Sequence, residues 1–138
     1  MAHLDRNHTD LPYVDKHEVR IAASRERVWA ALYPYATALG FPESSPLARI
    51  LGIDPPGGFT ISESHPDEYL TLVGRHRFAR YELGFEITEA ASDATDLHAH
   101  TWAEFPGLRG RVYRALVISS GAHALATNHM LRTVRKRA

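Results

Sequence analysis

The chain carries nine histidines and no cysteine, so imidazole is its main group for chemistry near neutral pH. His123 lies on an apolar stripe with Val112, Leu116, Ser119, Ala126 and Met130, spaced by three or four residues as on one helix face. An imidazole pointing from such a stripe into a core can hydrogen-bond a ligand or act as general acid and base. Its plainer role is a core histidine paired with a backbone carbonyl, Thr101 or Tyr81. Tyr81 and Thr101 are the polar members of otherwise apolar strand faces, and His17 shares a face with Val19 and Ile21. These four residues, His123, Tyr81, Thr101 and His17, match the few convergent polar groups of a mostly apolar ligand pocket. Trp29, Phe85, Val112 and Leu116 are its candidate walls, with Tyr33 and Tyr113 as further aromatics. The same spacing also suits plain core packing.

Other constellations are weaker. His98 and His100 stand two apart on one strand face, with Glu86 and Glu82 on the neighbouring strand, a set compatible with a metal ion. The strand register places them on the outer face of the sheet, where a solvated surface with cross-strand ion pairs is expected and no metal. Arg75, His76, Arg77 and Arg80, and separately Arg109, Arg111 and Arg114, are basic groups able to meet phosphate. Acidic residues interrupt them and no aromatic stacking platform accompanies them, so a solvated face with salt bridges is expected. Arg111 and Arg114 are read as pins for a strand-to-helix corner. No Ser-His-Asp order, phosphate-binding glycine loop or nucleotide fingerprint is present, and no cofactor is expected.

Periodicity supplies the elements that would hold these groups. Residues from Tyr13 to Ala22 alternate as a half-buried strand. Ser24 then has the character of a helix N-cap, and Val28, Ala31 and Leu32 follow at helical spacing. Pro34 is expected to end or bend this helix, with a second short helix over Ala36–Leu39 stopping at Gly40. Residues 41–58 hold four of the eight prolines and are read as an entrance rim, with a short helix from Ser45-Pro46 to Leu51. Strands follow at 59–64, 69–73, about 78–88 and 96–105, with Gly74 at a bulge or turn and a polar hairpin loop at 89–95. Pairing Ile87 with Leu97 sets Phe85 opposite Ala99, Leu83 opposite Thr101, and Tyr81 opposite Ala103, large against small. The same register sets Arg80 opposite Glu104 and Glu86 opposite His98. Pro106-Gly107 ends the last strand, and one long helix is expected from about Leu108 to Arg135, weakest at Ser119-Ser120-Gly121.

The 138 residues correspond to one domain, expected at 12–138 behind a flexible arm at 1–11. With 44% hydrophobic residues a sizeable core is within reach. Sixteen basic and sixteen acidic residues balance to zero, which argues against a general nucleic-acid binder. The lack of cysteine excludes disulfides, thiolate nucleophiles and cysteine-ligated zinc. The first residues have no apolar signal region and no run is long enough to span a membrane, so a cytoplasmic location is expected.

The stretch His17-Glu18-Val19-Arg20-Ile21-Ala22-Ala23-Ser24, closing with Val28-Trp29-Ala30-Ala31-Leu32, resembles the start of the START-related SRPBCC superfamily. The segment from Phe105 to Ile118 resembles that of uncharacterised actinobacterial members. The resemblance covers roughly residues 13–135. It implies an α+β helix-grip fold, a curved antiparallel sheet, here of five or six strands, wrapped around the last helix. It also implies a cavity for a small hydrophobic molecule, lipid- or polyketide-like; a monomer or homodimer without nucleic-acid partners is expected. Two alternatives stand beside binding. One is a cyclase, dehydratase or isomerase acting on a polyketide-like substrate through His123 paired with Tyr81 or His17. The other is a non-catalytic protein whose own side chains fill the core.

Overall fold

A strand, a helix, four more strands and a broken C-terminal helix follow one another along the chain. The computed structural model describes residues 10–39, 59–119 and 121–138. Its elements are β1 (Tyr13–Ile21), α1 (Arg25–Thr37), β2 (Thr60–His65), β3 (Tyr69–His76), β4 (Ala79–Ala91), β5 (Ala94–Glu104), α2 (Gly107–Arg114), a π-helical segment (Ala115–Ser119) and α3 (Ala122–Arg137). The strands form one antiparallel sheet in the order β1-β5-β4-β3-β2. The sheet curves, and α1 and α3 pack on its concave face. The expected rim, including the helix from Ser45, and most of the N-terminal arm lie outside the described residues. No helix among the described residues is long and apolar enough to cross a membrane.

Register decides which side chains face the helices. The β4–β5 ladder pairs Ile87 with Leu97, Phe85 with Ala99, Leu83 with Thr101 and Tyr81 with Ala103, as the large-against-small pattern predicts. Asp15 pairs with Thr101, His17 with Ala99 and Val19 with Leu97, so these β1 residues share the concave face. One irregularity matters. Tyr13 pairs with Trp102 although Asp15 pairs with Thr101, so β1 holds an extra residue there. Strict alternation would put Tyr13 beside Asp15; the bulge turns it to the convex face instead. There its ring meets Trp102 edge-on, with centroids 5.6 Å apart.

Several local expectations are corrected. Pro34 lies inside α1, which runs unbroken to Thr37. Ala30 and Pro34 are both exposed, so the carbonyl that loses its N–H partner is on the wet side of the helix. Thr37 Oγ1 donates to the Pro34 carbonyl at 3.0 Å. Ser24 does cap this helix, accepting the Arg27 N–H at 3.3 Å. Gly74 sits within β3 opposite Tyr81, not at a turn. The β4–β5 loop shrinks to Ser92-Asp93, because both strands continue pairing through the polar residues expected to form a longer loop.

The single long C-terminal helix is also replaced. The chain runs α-helix, π segment, then α-helix, with Gly121 at φ 83°. That left-handed conformation suits glycine, and it resets the phase of the helix. A stripe read across the break therefore does not map to one face. Val112 and Leu116 are 55% and 67% exposed, and the buried face of α3 is Thr127, Leu131 and Val134, with His123 half-buried. In the first turn of α2, a Cβ on Gly110 would stand 2.5 Å from the Phe105 carbonyl carbon. Only glycine lets the helix lie that close to the end of β5. Arg114 sets its guanidinium over the Phe105 ring, 5.4 Å from the centroid, consistent with a pin for this corner.

Candidate functional site

The concave face has two ends of different character. At one end Val28, Leu32 and Ala36 of α1 and Leu131 and Val134 of α3 close over Leu70, Phe85 and Leu97. Phe85 is completely buried there, an interior position whose burial contributes about 2–3 kcal/mol. Trp29 packs at the margin of this cluster, its ring 5.5 Å from Tyr33, which is exposed. Phe85 is thus sealed core and not a wall open to a ligand. Val112 and Leu116, on α2 and the π segment, are largely exposed and lie outside this packed cluster.

The other end is polar and aromatic. Asp15 and His17 reach it from β1, His123 from the first turn of α3, and Thr101 from β5. His17 Nε2 lies 3.2 Å from Asp15 Oδ2, and His123 Nε2 lies 3.2 Å from Asp15 Oδ1. One carboxylate therefore receives both rings, each on its own oxygen. The ring centroids are 6.4 Å apart and nearly edge-on. With Nε2–H donated to an ionised carboxylate, the lone pair of a neutral ring sits on Nδ1. All three side chains retain solvent exposure, 27% for Asp15, 21% for His17 and 18% for His123.

Thr101 is the neighbour of Asp15 across the β1–β5 ladder, on the same face. Its hydroxyl is buried and has no hydrogen-bond partner among the described residues. Buried polar groups are normally paired, so this one is notable. Across the ladder on β4 it faces Leu83, with Leu72 beyond on β3, while Ala99 and Ala103 flank it along β5.

The opposite wall is aromatic. The Tyr81 ring lies 5.3 Å from Phe59 and 5.8 Å from His76, and His76 meets Tyr113 of α2 at 4.7 Å. Phe78 stacks on Tyr113 at 5.7 Å. Burial, and next the neighbouring Tyr113, pushes the Tyr81 hydroxyl up to about 12. Burial also raises Tyr113 and lowers His76 below the ordinary imidazole value. His76 is therefore a wall residue and not a member of a solvated basic patch. Three strand spacings separate β1 from β3, so the two polar walls stand about 14 Å apart with Thr101 between them.

The structure thus brings His17 and His123 together, places Thr101 beside them and sets Tyr81 on the opposite wall. Asp15 was not singled out by residue type, yet it stands two residues before His17 and so shares its face by simple alternation. His76 and Phe59 were likewise missed, the first hidden among arginines and the second at the mouth of a strand.

The convex face also departs from expectation. His98 and His100 do pair with carboxylates, His98 Nδ1 with Glu18 Oε2 at 3.0 Å and His100 Nε2 with Glu86 Oε1 at 3.5 Å. This face is not solvated, however: His100, Glu86 and Glu82 are all buried. Tyr69, Trp102 and Leu11 pack together over part of it. Arg80 is held by Glu104 at 2.9 Å. Among the described residues no group of three histidines or carboxylates is arranged to hold a metal ion.

Comparison with solved structures places this architecture. A conserved protein from Geobacillus kaustophilus superposes with a TM-score of 0.61 at 13% identity, over 88% of this chain and 91% of that one. A START superfamily protein from Mycobacterium smegmatis gives 0.52 at 15% identity, over 91% and 96%. Norcoclaurine synthase from Thalictrum flavum, in complex with dopamine and hydroxybenzaldehyde, gives 0.55 at 12% identity, over 90% and 86%. The chain has the helix-grip fold of START-related, SRPBCC-type proteins. In sequence, no protein-family model and no curated protein matches it.

Proposed function

We propose that this protein binds a small, largely apolar molecule carrying at least one polar group, between the sheet and α3 at the polar end of the concave face. The observation that carries the reading is the buried Thr101 hydroxyl, which has no hydrogen-bond partner among the described residues and lies across the ladder from Asp15. A ligand oxygen there would complete a hydrogen bond that the described residues do not supply. His17 and His123 offer polar contacts on one side, Tyr81 and His76 on the other, and Phe59 and Tyr113 offer aromatic surface. Norcoclaurine synthase, which shares the fold, was solved with two small aromatic molecules, and this supports a small-molecule site here by analogy. The protein's own side chains fill the Phe85 end, so this reading places the ligand at the other end of the face. The same proposal takes the chain as a cytoplasmic monomer or homodimer that needs no nucleic acid.

The test is to recover the protein from its producing cells, record native mass spectra, and identify what denaturation releases. A stoichiometric apolar compound with a polar group, retained by the wild type and lost from Thr101→Val combined with His123→Ala, is the expected result. A compound retained equally by the double variant contradicts the site.

A further inference from the structure

The geometry points to a proton-transfer site: Asp15 orients His17 and His123 as an acid–base pair acting on a carbonyl compound held at the same place. This inference rests on the binding reading and adds a reaction to it. Two imidazoles have Nε2 at 3.2 Å from the two oxygens of one carboxylate. A carboxylate that accepts the N–H of an imidazole fixes its tautomer and ring orientation, leaving the opposite nitrogen to exchange protons. Here one carboxylate does this for two rings at once. Both rings retain part of their solvent exposure, 21% for His17 and 18% for His123. When one ring is neutral and the other protonated, the pair holds a base and an acid side by side, with Asp15 balancing the single positive charge.

The chemistry that fits is enolisation. The neutral imidazole takes a proton from the carbon next to a carbonyl. The C–H bond breaks, and its electron pair forms the C=C bond of the enol as the carbonyl π pair moves to oxygen. The protonated imidazole gives that oxygen its proton. The two histidines have then exchanged states, and reversal returns a proton to carbon. No oxidant, reductant or co-reactant is needed. In this scheme the Thr101 hydroxyl, on the strand next to Asp15, donates to the same oxygen. The substrate class is therefore an apolar ketone with an acidic α-carbon, as in an isomerisation or the first half of a dehydration. Asp15 is a positioning residue in this scheme, and the two histidines are catalytic residues.

Charged and titratable groups around the pair are few among the described residues. β1 brings Asp15 and His17, and α3 brings His123. β5 brings only Thr101 and Ala99, while Lys16 and Glu18 of β1 face the convex side.

The probe is 2-tetralone, an apolar bicyclic ketone, in deuterated buffer with the full-length protein. Proton NMR follows loss of its α-proton signals, and amide shifts of ¹⁵N-labelled protein report binding and folding in the same samples. The wild type is expected to accelerate exchange with a bell-shaped pH profile, since one ring must be neutral and the other protonated. His17→Gln and His123→Gln are each expected to slow exchange by about 10²- to 10⁴-fold. Asp15→Asn should keep binding, slow exchange less, and displace the pH profile. His129→Gln, on the exposed face of α3, controls for catalysis by any surface imidazole and should change nothing. Binding without accelerated exchange, or exchange that survives both histidine substitutions in folded protein, overturns this inference and leaves the binding reading intact. Neither binding nor exchange overturns both.

Discussion

Removing the Thr101 hydroxyl should stabilise the protein while weakening its site. Thr101 is 6% exposed and its Oγ1 has no hydrogen-bond partner among the described residues. An unpaired buried hydroxyl costs about 1–3 kcal/mol of desolvation. Valine keeps the branched shape, removes that cost, and replaces the hydroxyl by a methyl that gains up to about 0.8 kcal/mol of burial. Thr101→Val is therefore expected to gain about 1–4 kcal/mol, or roughly 3–12 °C in Tm for a domain of this size. A control of the same chemistry lies on the same strand. Thr95 is also buried, but its Oγ1 donates to the Ala23 carbonyl at 2.7 Å. Thr95→Val breaks that bond and should lose about 1–3 kcal/mol. Urea denaturation of the two variants, checked by calorimetry, should show shifts of opposite sign. If Thr101→Val loses as much stability as Thr95→Val, the Thr101 hydroxyl is already paired in the native protein and is not waiting for a ligand.

Three further outcomes follow from other parts of the fold. Gly110→Ala, which on an ordinary helix would stabilise, should instead lose about 1–3 kcal/mol, because its Cβ would meet the Phe105 backbone at 2.5 Å; chemical denaturation gives the sign. Burial holds His76 below its ordinary 6.5, so unfolded His76 takes up a proton that the folded ring resists; its contribution is complete above that pH and is lost as pH falls through the folded value. Stability measured between about pH 7 and 5 should decline less in His76→Gln than in the wild type. Burial raises Tyr81 to about 12, so its contribution is complete below its ordinary value of 10.0 and is lost as pH rises through the folded value. Ultraviolet titration should show a late phenol ionisation that Tyr81→Phe removes.

The parts legible in the sequence are those set by short-range alternation. The β4–β5 register follows from matching large residues to small ones and Arg80 to Glu104, and the structure pairs them so. The convergence of His17 and His123 follows from placing one on a strand face and the other on the last helix. The parts that were not legible depend on phase and cover. A π segment and a left-handed Gly121 turn the helix, so Val112 and Leu116 leave the stripe that His123 seemed to share with them. The row of Glu82, Glu86, His98 and His100 has the composition of a wet surface, yet three of the four are buried, a fact that residue type alone does not carry. The bulge between Tyr13 and Asp15 likewise leaves no mark in the alternation, although it decides that Tyr13 faces Trp102 while Asp15 faces the histidines.

The most direct test of ligand binding at the polar end is a map of amide shifts during titration with 2-tetralone. Saturable shifts should cluster at His17, Thr101, Ala103, Tyr81 and His123, with Leu131, Val134 and the convex residues Glu86 and His98 unmoved. Shifts centred on the convex face, or spread evenly along the chain, would contradict a binding site between the sheet and α3.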